Sequence, residues 1–259
     1  MRANGDAMRG FEQAGIWAIR CIVGSYYGKV LMELGDHAGA EAVLRENLAV
    51  AEQRRAEFPL TYARLYLARL LARTAPMEQL EEAEKLAQAA TAGKNASLMG
   101  VISGVMAEIA FRRGELEAAE AESRLACERE SPFPAYCWDL VALRVHILLA
   151  LGRTEEALAL GEATLQQFER IGMGGFGELE LRLAVAEARD AAGQPEAARE
   201  LLRTTLSRLR LRVDDIPEAG AKVRYLTVVP TQTRLLTLAK AWLGPEAIRA
   251  AGMEPEALR

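Results

Sequence analysis

The 259-residue sequence predicts an all-α fold, and more specifically a solenoid of stacked helical hairpins. Ala, Leu, Glu and Arg dominate the composition, whereas the β-branched and aromatic residues typical of strands are sparse. Between helix-breaking residues, apolar side chains recur with helical spacing over segments of about 14 to 24 residues. The breaking glycines repeat at intervals of about 36 to 43 residues, which is long enough for two helices and two turns.

Two interleaved series of breakers set the predicted element boundaries. The first series ends the first helix of each hairpin, and the second series separates one hairpin from the next. The first comprises Gly35, residues 74–76, Gly114, Gly152 and Gly193; the second comprises Pro59, residues 93–95, 131–134 and 172–177, and Pro217. They predict a partial helix at 1–14, hairpin repeats at about 15–58, 59–93, 94–131, 132–172 and 173–213, and C-terminal capping helices with a tail at 214–259.

Each hairpin turn has a physical explanation in the sequence. A glycine ends the first helix in a left-handed cap, and an acidic residue or a proline opens the second helix. A small alanine near the start of the second helix allows the two helices to cross closely. The alanines at this position are Ala40, Ala119, Ala157 and Ala198.

This pattern resembles the tetratricopeptide repeat (TPR) family. In that family a small residue lies in the first helix, a glycine at the turn, and alanine, a large apolar residue and alanine along the second helix. Gly28 and Ala107 fill the small position seven residues before Gly35 and Gly114. The second repeat lacks the turn glycine but keeps the spacing of Ala83, Ala87 and Ala90, and the fourth departs at Gly161 and Thr164. The resemblance extends from residue 14 to about 213 and implies a right-handed superhelix of about five hairpins.

The two ends of the chain carry further resemblances. The run from Asp215 to Gly244 is similar to the end of the TPR region in large bacterial signalling proteins, in which a serine/threonine kinase or a STAND-type ATPase precedes the repeats. Ala7, Phe11 and Ala14 have the spacing of a second helix, but no first helix precedes them. We therefore expect a fragment of a longer protein; a short native protein that uses this helix as its own cap is the alternative.

No group of residues in the sequence suggests catalysis. Residues 172–177 match the string G-x-G-x-x-G, but a helix rather than a strand precedes them, so a turn is expected. Cys21, Cys127 and Cys137 have no metal-ligand spacing, and the only histidines are His37 and His146. We expect no enzyme activity, no cofactor and no metal. The arginines Arg199, Arg203, Arg208, Arg210 and Arg212 alternate with carboxylates and predict a salt-bridged helix.

The TPR resemblance implies a groove lined by the first helices of the repeats. Carried over position by position, its candidate residues are Ser25, Lys29, Met32, Tyr62, Arg69, Arg73, Glu108, Phe111, Arg112, Asp139 and His146. The amino-terminal half of this set is aromatic and basic, a mixture that suits a peptide with acidic groups. Only Lys29 fits the carboxylate clamp with which some TPR domains bind chaperone tails, so we do not expect this chain to bind such tails.

The predicted function is a protein–protein interaction scaffold or adaptor, the C-terminal TPR region of a bacterial signalling or regulatory protein. Its partner is expected to be a protein or peptide. The net charge of -4 argues against nucleic acid as a partner, and the absence of a long uncharged apolar run argues against a membrane. The odd number of cysteines, three, favours a cytoplasmic location. Two alternatives remain: a ligand- or signal-peptide-sensing domain of a STAND-type transcriptional regulator, and a self-association module.

Overall fold

The computed structural model describes residues 6, 8, 10–11, 13–93, 98–130, 138–172 and 176–253. Within these residues the secondary structure is helical, with a short 3-10 turn at Met77–Gln79 and no strand, so the all-α prediction is confirmed. The helices are α1 (Trp17–Glu33), α2 (His37–Gln53), α3 (Glu57–Thr74), α4 (Leu80–Thr91), α5 (Met99–Arg112), α6 (Leu116–Glu130), α7 (Trp138–Ala150), α8 (Thr154–Ile171), α9 (Glu178–Ala191), α10 (Pro195–Asp214), α11 (Ala219–Thr227), α12 (Pro230–Leu243) and α13 (Pro245–Ala250). In the predicted partial helix at 1–14, residues 6, 8, 10, 11 and 13 are helical and Ala14 lies in a turn, while residues 1–5, 7, 9 and 12 lie outside the described residues.

Four turns between consecutive helices have the same backbone geometry. Gly35, Gly114, Gly152 and Gly193 have φ values of 75°, 77°, 73° and 75° and follow the ends of α1, α5, α7 and α9. In each turn the residue after the glycine donates its N–H to the carbonyl oxygen five residues earlier, at 2.9 Å. Because L-residues with a Cβ rarely adopt this conformation, glycine is required there. The predicted left-handed caps are thus confirmed at these four positions.

The turn after α3 differs, as the sequence predicts. Ala75 is extended (φ −74°, ψ 153°), and Pro76 precedes a 3-10 turn at Met77–Gln79 that leads into α4. Proline restricts the residue before it to extended conformations, so α3 ends at Thr74 without a glycine. Three other predicted breakers, at 93–95, 131–134 and 172–177, lie partly or wholly outside the described residues.

The helices form two compact units, and the amino-terminal unit is Met1–Glu115. In it, each of α1 to α4 packs on the next helix in the chain, and α3 also packs on both α1 and α5. The core consists mainly of leucine and alanine side chains from all five helices, such as Leu31, Leu44, Leu65, Leu80 and Ile109. The helices α1, α3 and α5 therefore form one row within this unit, which we call the odd row.

Small residues bring α1 and α2 close together. A Cβ atom added at Gly28 would lie 2.6 Å from Cγ of Leu44, a side chain that is only 1% exposed. One turn earlier, Gly24 lies against the buried side chain of Asn47, which accepts a hydrogen bond from Arg20 at 3.1 Å. The small-residue position predicted at Gly28 is therefore a true point of close approach.

We expect Gly28→Ala to lower the free energy of unfolding by about 1–3 kcal/mol, because the added methyl group overpacks a site that Leu44 already fills. Alanine otherwise favours a helix by about 1 kcal/mol over glycine, so a loss of stability would report the clash itself. Urea unfolding followed by circular dichroism measures the change. Gly10→Ala is the matched control, since Gly10 is helical and nothing lies within 4 Å of its added Cβ. If both variants gain stability, the close approach at Gly28 is wrong.

The second unit is Leu116–Arg259, and it contains α6 to α13. Here α9 packs on α7, α8, α10 and α12, which makes it the central helix of the unit. Trp138, the first residue of α7, is 1% exposed and meets the ring of Phe168 edge-on, with centroids 5.4 Å apart. The predicted capping segment at 214–259 contains α11, α12 and α13, of which α12 packs on α9 and α10.

The boundary between the two units lies between α5 and α6, inside the third predicted repeat. The repeat boundaries themselves stay predictions. In the described part of the chain, no helix has the length and hydropathy needed to cross a membrane.

Candidate functional site

Four aromatic side chains from α1 and α3 form a cluster on the amino-terminal unit. Tyr26 lies 5.5 Å from Tyr66 and 6.0 Å from Tyr62, and Phe58 lies 5.2 Å from Tyr62, all measured between ring centroids. The rings are tilted by 55–58° in these three pairs. Phe58 and Tyr26 are 54% and 46% exposed, whereas Tyr66 is 7% exposed and packs in the core. We call this cluster the aromatic patch.

Helical geometry explains why these residues meet. Phe58, Tyr62 and Tyr66 are four residues apart and form one stripe along α3. Tyr26 follows Gly24 by two residues, or about 200° of helical rotation, so it points away from the α1 face that packs on α2. The patch thus lies on the odd row, on the side of α1 opposite α2.

Burial favours the neutral phenol form of Tyr62 and Tyr66. Burial raises the pKa of Tyr66 well above its usual range, and the neighbouring Tyr26 raises it further, while Arg69 partly offsets both effects. Burial and Tyr26 also raise the pKa of Tyr62. Positive side chains continue along the same helices, because Lys29 follows Tyr26 by three residues and Arg73 lies one turn beyond Arg69. The patch therefore combines neutral aromatic rings with a basic border.

The structure brings some of the predicted groove residues to this surface. Tyr62 is a member of the patch, and Lys29 and Arg73 are partly exposed on α1 and α3. Arg73 lies 3.9 Å from Glu33, a contact that joins these two helices. These three residues fit the predicted aromatic and basic character of the amino-terminal half.

Three other predicted groove residues are buried, which corrects their assignment to an open surface. Ser25 is 0% exposed and its hydroxyl donates to the carbonyl oxygen of Cys21 at 2.8 Å. Met32 and Arg69 are 4% and 8% exposed. On α1 the predicted positions are off by one residue. Ser25 is on the buried side of the helix, whereas the next residue, Tyr26, is on the exposed side.

The predicted residues of α5 have a different environment. Glu108 and Phe111 are partly exposed, but Arg112 donates to the carbonyl oxygens of Ala72 and Ala75, both at 2.7 Å. These carbonyls belong to the end of α3, where backbone acceptors lack helical partners. Arg112 therefore stabilises the end of α3, and its predicted role in a groove stays a prediction.

Asp139 and His146 lie on α7, in the second unit. His146 Nε2 is 2.9 Å from Glu187 Oε2 on α9, and Arg234 on α12 donates to Glu187 Oε1 at 2.8 Å. Burial raises the pKa of Glu187, but the contacts with His146 and Arg234 lower it by more, so the pKa lies below its usual value. His146 thus belongs to a polar network that joins three helices, and the predicted groove residues are divided between the two units.

The sequence reasoning missed Tyr26, Phe58 and Tyr66. The four-residue spacing of Phe58, Tyr62 and Tyr66 was a usable signal, because on a helix it places three rings in one stripe. Tyr26 gave a weaker signal, since Tyr27 follows it and the sequence alone does not tell which ring faces outward.

Other residues singled out in the sequence have structural environments. Cys21 is buried, and burial raises its pKa, as it raises that of Cys127 to about 11. Cys137 lies outside the described residues. Each of the five arginines on α10 contacts a carboxylate, which confirms the salt-bridged helix. Among the residues that the structure describes, no group of three or more His, Cys, Asp or Glu side chains could hold a metal ion.

The sequence matches no protein-family model, and no curated protein is significantly similar to it. The chemistry of the aromatic patch is therefore the main guide to function.

Proposed function

We propose that the chain is a protein–protein interaction module with TPR-type repeats, and that its aromatic patch binds a peptide segment. The segment presents an apolar or aromatic side chain next to an acidic group. The observation that carries this proposal is the patch itself, in which Phe58 and Tyr26 are about half exposed on two adjacent helices.

Exposed aromatic clusters are a typical feature of binding surfaces. Phe and Tyr are enriched in the buried centre of protein interfaces, where they contribute large contact areas at low entropic cost. The patch has the layout of such a centre, because the buried ring of Tyr66 supports the exposed rings of Tyr26 and Phe58. A peptide side chain placed between these tilted rings would remove them from water.

The border of the patch favours an acidic partner over a cationic one. Aromatic rings alone also attract cations through their π faces. Here Arg69 acts electrostatically on Tyr66, and Lys29 and Arg73 lie within a turn or two along the same helices. Arg73 also contacts Glu33, but α1 and α3 together carry five basic and two acidic side chains, and this excess repels a cationic ligand and attracts a carboxylate. The proposal is therefore a peptide with Asp or Glu beside its apolar anchor.

The wider setting of the module follows from the TPR resemblance. Paired helices and four glycine turns of the same geometry support a TPR-type repeat. The resemblance of residues 215–244 to the end of the TPR region in bacterial kinases and STAND-type proteins supports a role as an adaptor in bacterial signalling.

Selection from a random peptide library displayed on phage, with the whole chain as bait, tests the proposal. We expect enriched peptides that combine an aromatic or large apolar residue with Asp or Glu. Phe58→Ala and Tyr62→Ala are each expected to weaken binding of a selected peptide by about tenfold or more, because truncating a central aromatic residue typically has this effect. Fluorescence anisotropy of the labelled peptide measures the change.

Met77→Ala is the matched control, since Met77 is 50% exposed in the same unit but lies outside the patch. Equal affinity of the selected peptide for wild type and Phe58→Ala would exclude the patch as its binding site. If no peptide is selected and the wild-type chain instead dimerises in a manner that Phe58→Ala abolishes, the patch is a self-association surface and the peptide proposal is wrong.

A further inference from the structure

The second unit contains a polar cleft of about 670 Å³ lined by side chains of α8, α9 and α10. Its volume lies within the range of small-molecule binding sites in proteins. Buried Leu165 and Leu201 contribute apolar surface, and three arginines, Arg182, Arg189 and Arg208, line the polar part. The cleft shares no residue with the aromatic patch.

Two of the carboxylates along the cleft are neutralised by their own arginines. Arg189 binds both carboxylate oxygens of Glu162, at 2.6 and 3.1 Å. Glu200 pairs with Arg203 at 3.0 Å. This part of the cleft therefore has little net charge.

The other part of the cleft has more positive than negative groups. Buried Glu178, the first residue of α9, contacts three guanidinium groups: Arg182 at 3.3 Å, Arg208 at 3.8 Å and Arg212 at 2.7 Å. The second carboxylate at Arg182 is Glu169, at 3.5 Å. Of these groups Arg182, Arg208 and Glu169 line the cleft itself, so two guanidinium groups face one carboxylate there, and the Glu169 side chain is 58% exposed.

Arg182 and Arg208 differ in a way that suits binding. The Arg182 side chain is 7% exposed, and its guanidinium carbon lies 5.5 Å from the ring centre of Phe168, so its position is fixed. The Arg208 side chain is 55% exposed, and its long contact to Glu178 leaves it able to turn toward a ligand. A fixed arginine with a movable one beside it is a suitable arrangement for an oxyanion, because guanidinium groups bind carboxylate and phosphate through paired hydrogen bonds.

We propose that this cleft binds a small organic anion whose carboxylate or phosphate group pairs with Arg182 and Arg208. The anion takes the place of the exposed carboxylate of Glu169, and its apolar or aromatic body lies along Leu165 and Leu201. This inference goes beyond the proposed peptide binding and does not depend on it.

Isothermal titration calorimetry of the whole chain at constant ionic strength tests the inference with three probes: phenyl phosphate, benzoate and phenol. We expect saturable one-site binding of at least one of the two anions at millimolar concentration, and none of phenol. Binding of phenyl phosphate alone would assign the ligand class to phosphates, and binding of benzoate alone to carboxylates.

Arg208→Gln is expected to weaken binding of the effective anion by about tenfold, because a charge-assisted hydrogen bond is lost. The matched control is Arg199→Gln, whose side chain lies on the same helix, is 38% exposed and pairs with Glu196; neither residue is part of the cleft. Failure of both anions to bind, or an equal loss in the two variants, would overturn the inference. Phe58→Ala is expected to leave anion binding unchanged, so a failure here is distinguishable from a failure of the peptide proposal.

Discussion

Trp138→Ala is expected to lower the free energy of unfolding by about 3–5 kcal/mol, because it leaves a cavity in a closely packed core. Trp138 is 1% exposed and is the largest of the fully buried side chains. Its indole ring meets Phe168, and a Cβ atom added at Gly177 would lie 2.9 Å from the Trp138 Cβ, so α7, α8 and the start of α9 all meet there. Those backbone segments cannot easily move inward to fill the space.

Chemical denaturation monitored by far-UV circular dichroism measures this loss. Phe176→Ala is the matched control, because Phe176 is an aromatic residue of the same unit that is 54% exposed; we expect a change within about 0.5 kcal/mol for such a surface position. Trp138→Phe is expected to retain part of the packing and to fall between the two. A loss for Trp138→Ala no larger than that for Phe176→Ala would contradict the packing seen around the indole ring.

Glu178→Gln is expected to lower the free energy of unfolding by about 3 kcal/mol, the lower end of the range for breaking a buried ion pair. The substitution keeps the shape of the side chain but removes the negative charge that Arg182 and Arg212 contact. Arg182 is itself buried, so its charge loses its main compensation within the protein. Glu169 remains 3.5 Å from Arg182, which is why the loss does not reach the upper end.

Glu196→Gln provides the comparison, since the Glu196 side chain is 81% exposed and pairs with Arg199 on the surface of α10. Such exposed pairs contribute little to stability, so a change below about 0.5 kcal/mol is expected. Hydrogen exchange measured on both variants should show faster exchange in α9 and α10 only for Glu178→Gln. Similar stability of the two variants would show that the carboxylate of Glu178 is not needed to compensate Arg182.

The helix ends were the part of the fold most open to prediction. A turn residue with a positive φ is usually glycine, and this requirement depends only on the local backbone. It is met at Gly35, Gly114, Gly152 and Gly193. The close contact at Gly28 could also be predicted, because a missing side chain in an apolar helix suggests a crossing point. Features that depend on the local backbone can therefore be predicted from single residues of the sequence.

The candidate site was less open to prediction because it depends on how helices turn about their axes. On α1 nearly every residue from Cys21 to Tyr27 is apolar or small, so the sequence gives no polar side to mark the exposed face. The predicted outward face of α1 was therefore off by one residue, and it included Ser25 in place of Tyr26. On α3 the four-residue spacing of Phe58, Tyr62 and Tyr66 marked the face that carries the aromatic patch. The predicted groove positions on α3 were instead taken from the family pattern, and only Tyr62 belongs to both sets.

Contacts between distant residues were the least open to prediction. Arg112 stabilises the end of α3 from about 40 residues away, as counted to Ala72. The network of His146, Glu187 and Arg234 likewise joins three helices that are not consecutive in the chain. Periodicity shows on which side of a helix such a residue lies, but not which backbone or side-chain group comes to meet it.

The packing of each helix on near neighbours in the chain affects how the protein folds. Among the described residues, helices in substantial contact are at most three places apart in chain order. Proteins whose contacts are close in sequence fold fast, because short loops lose little entropy when they close. As far as the structure describes it, the core of the amino-terminal unit consists of residues between α1 and the end of α5. This unit has all its core residues once the chain has been made as far as about residue 115, so it is able to pack while the ribosome is still adding the later helices.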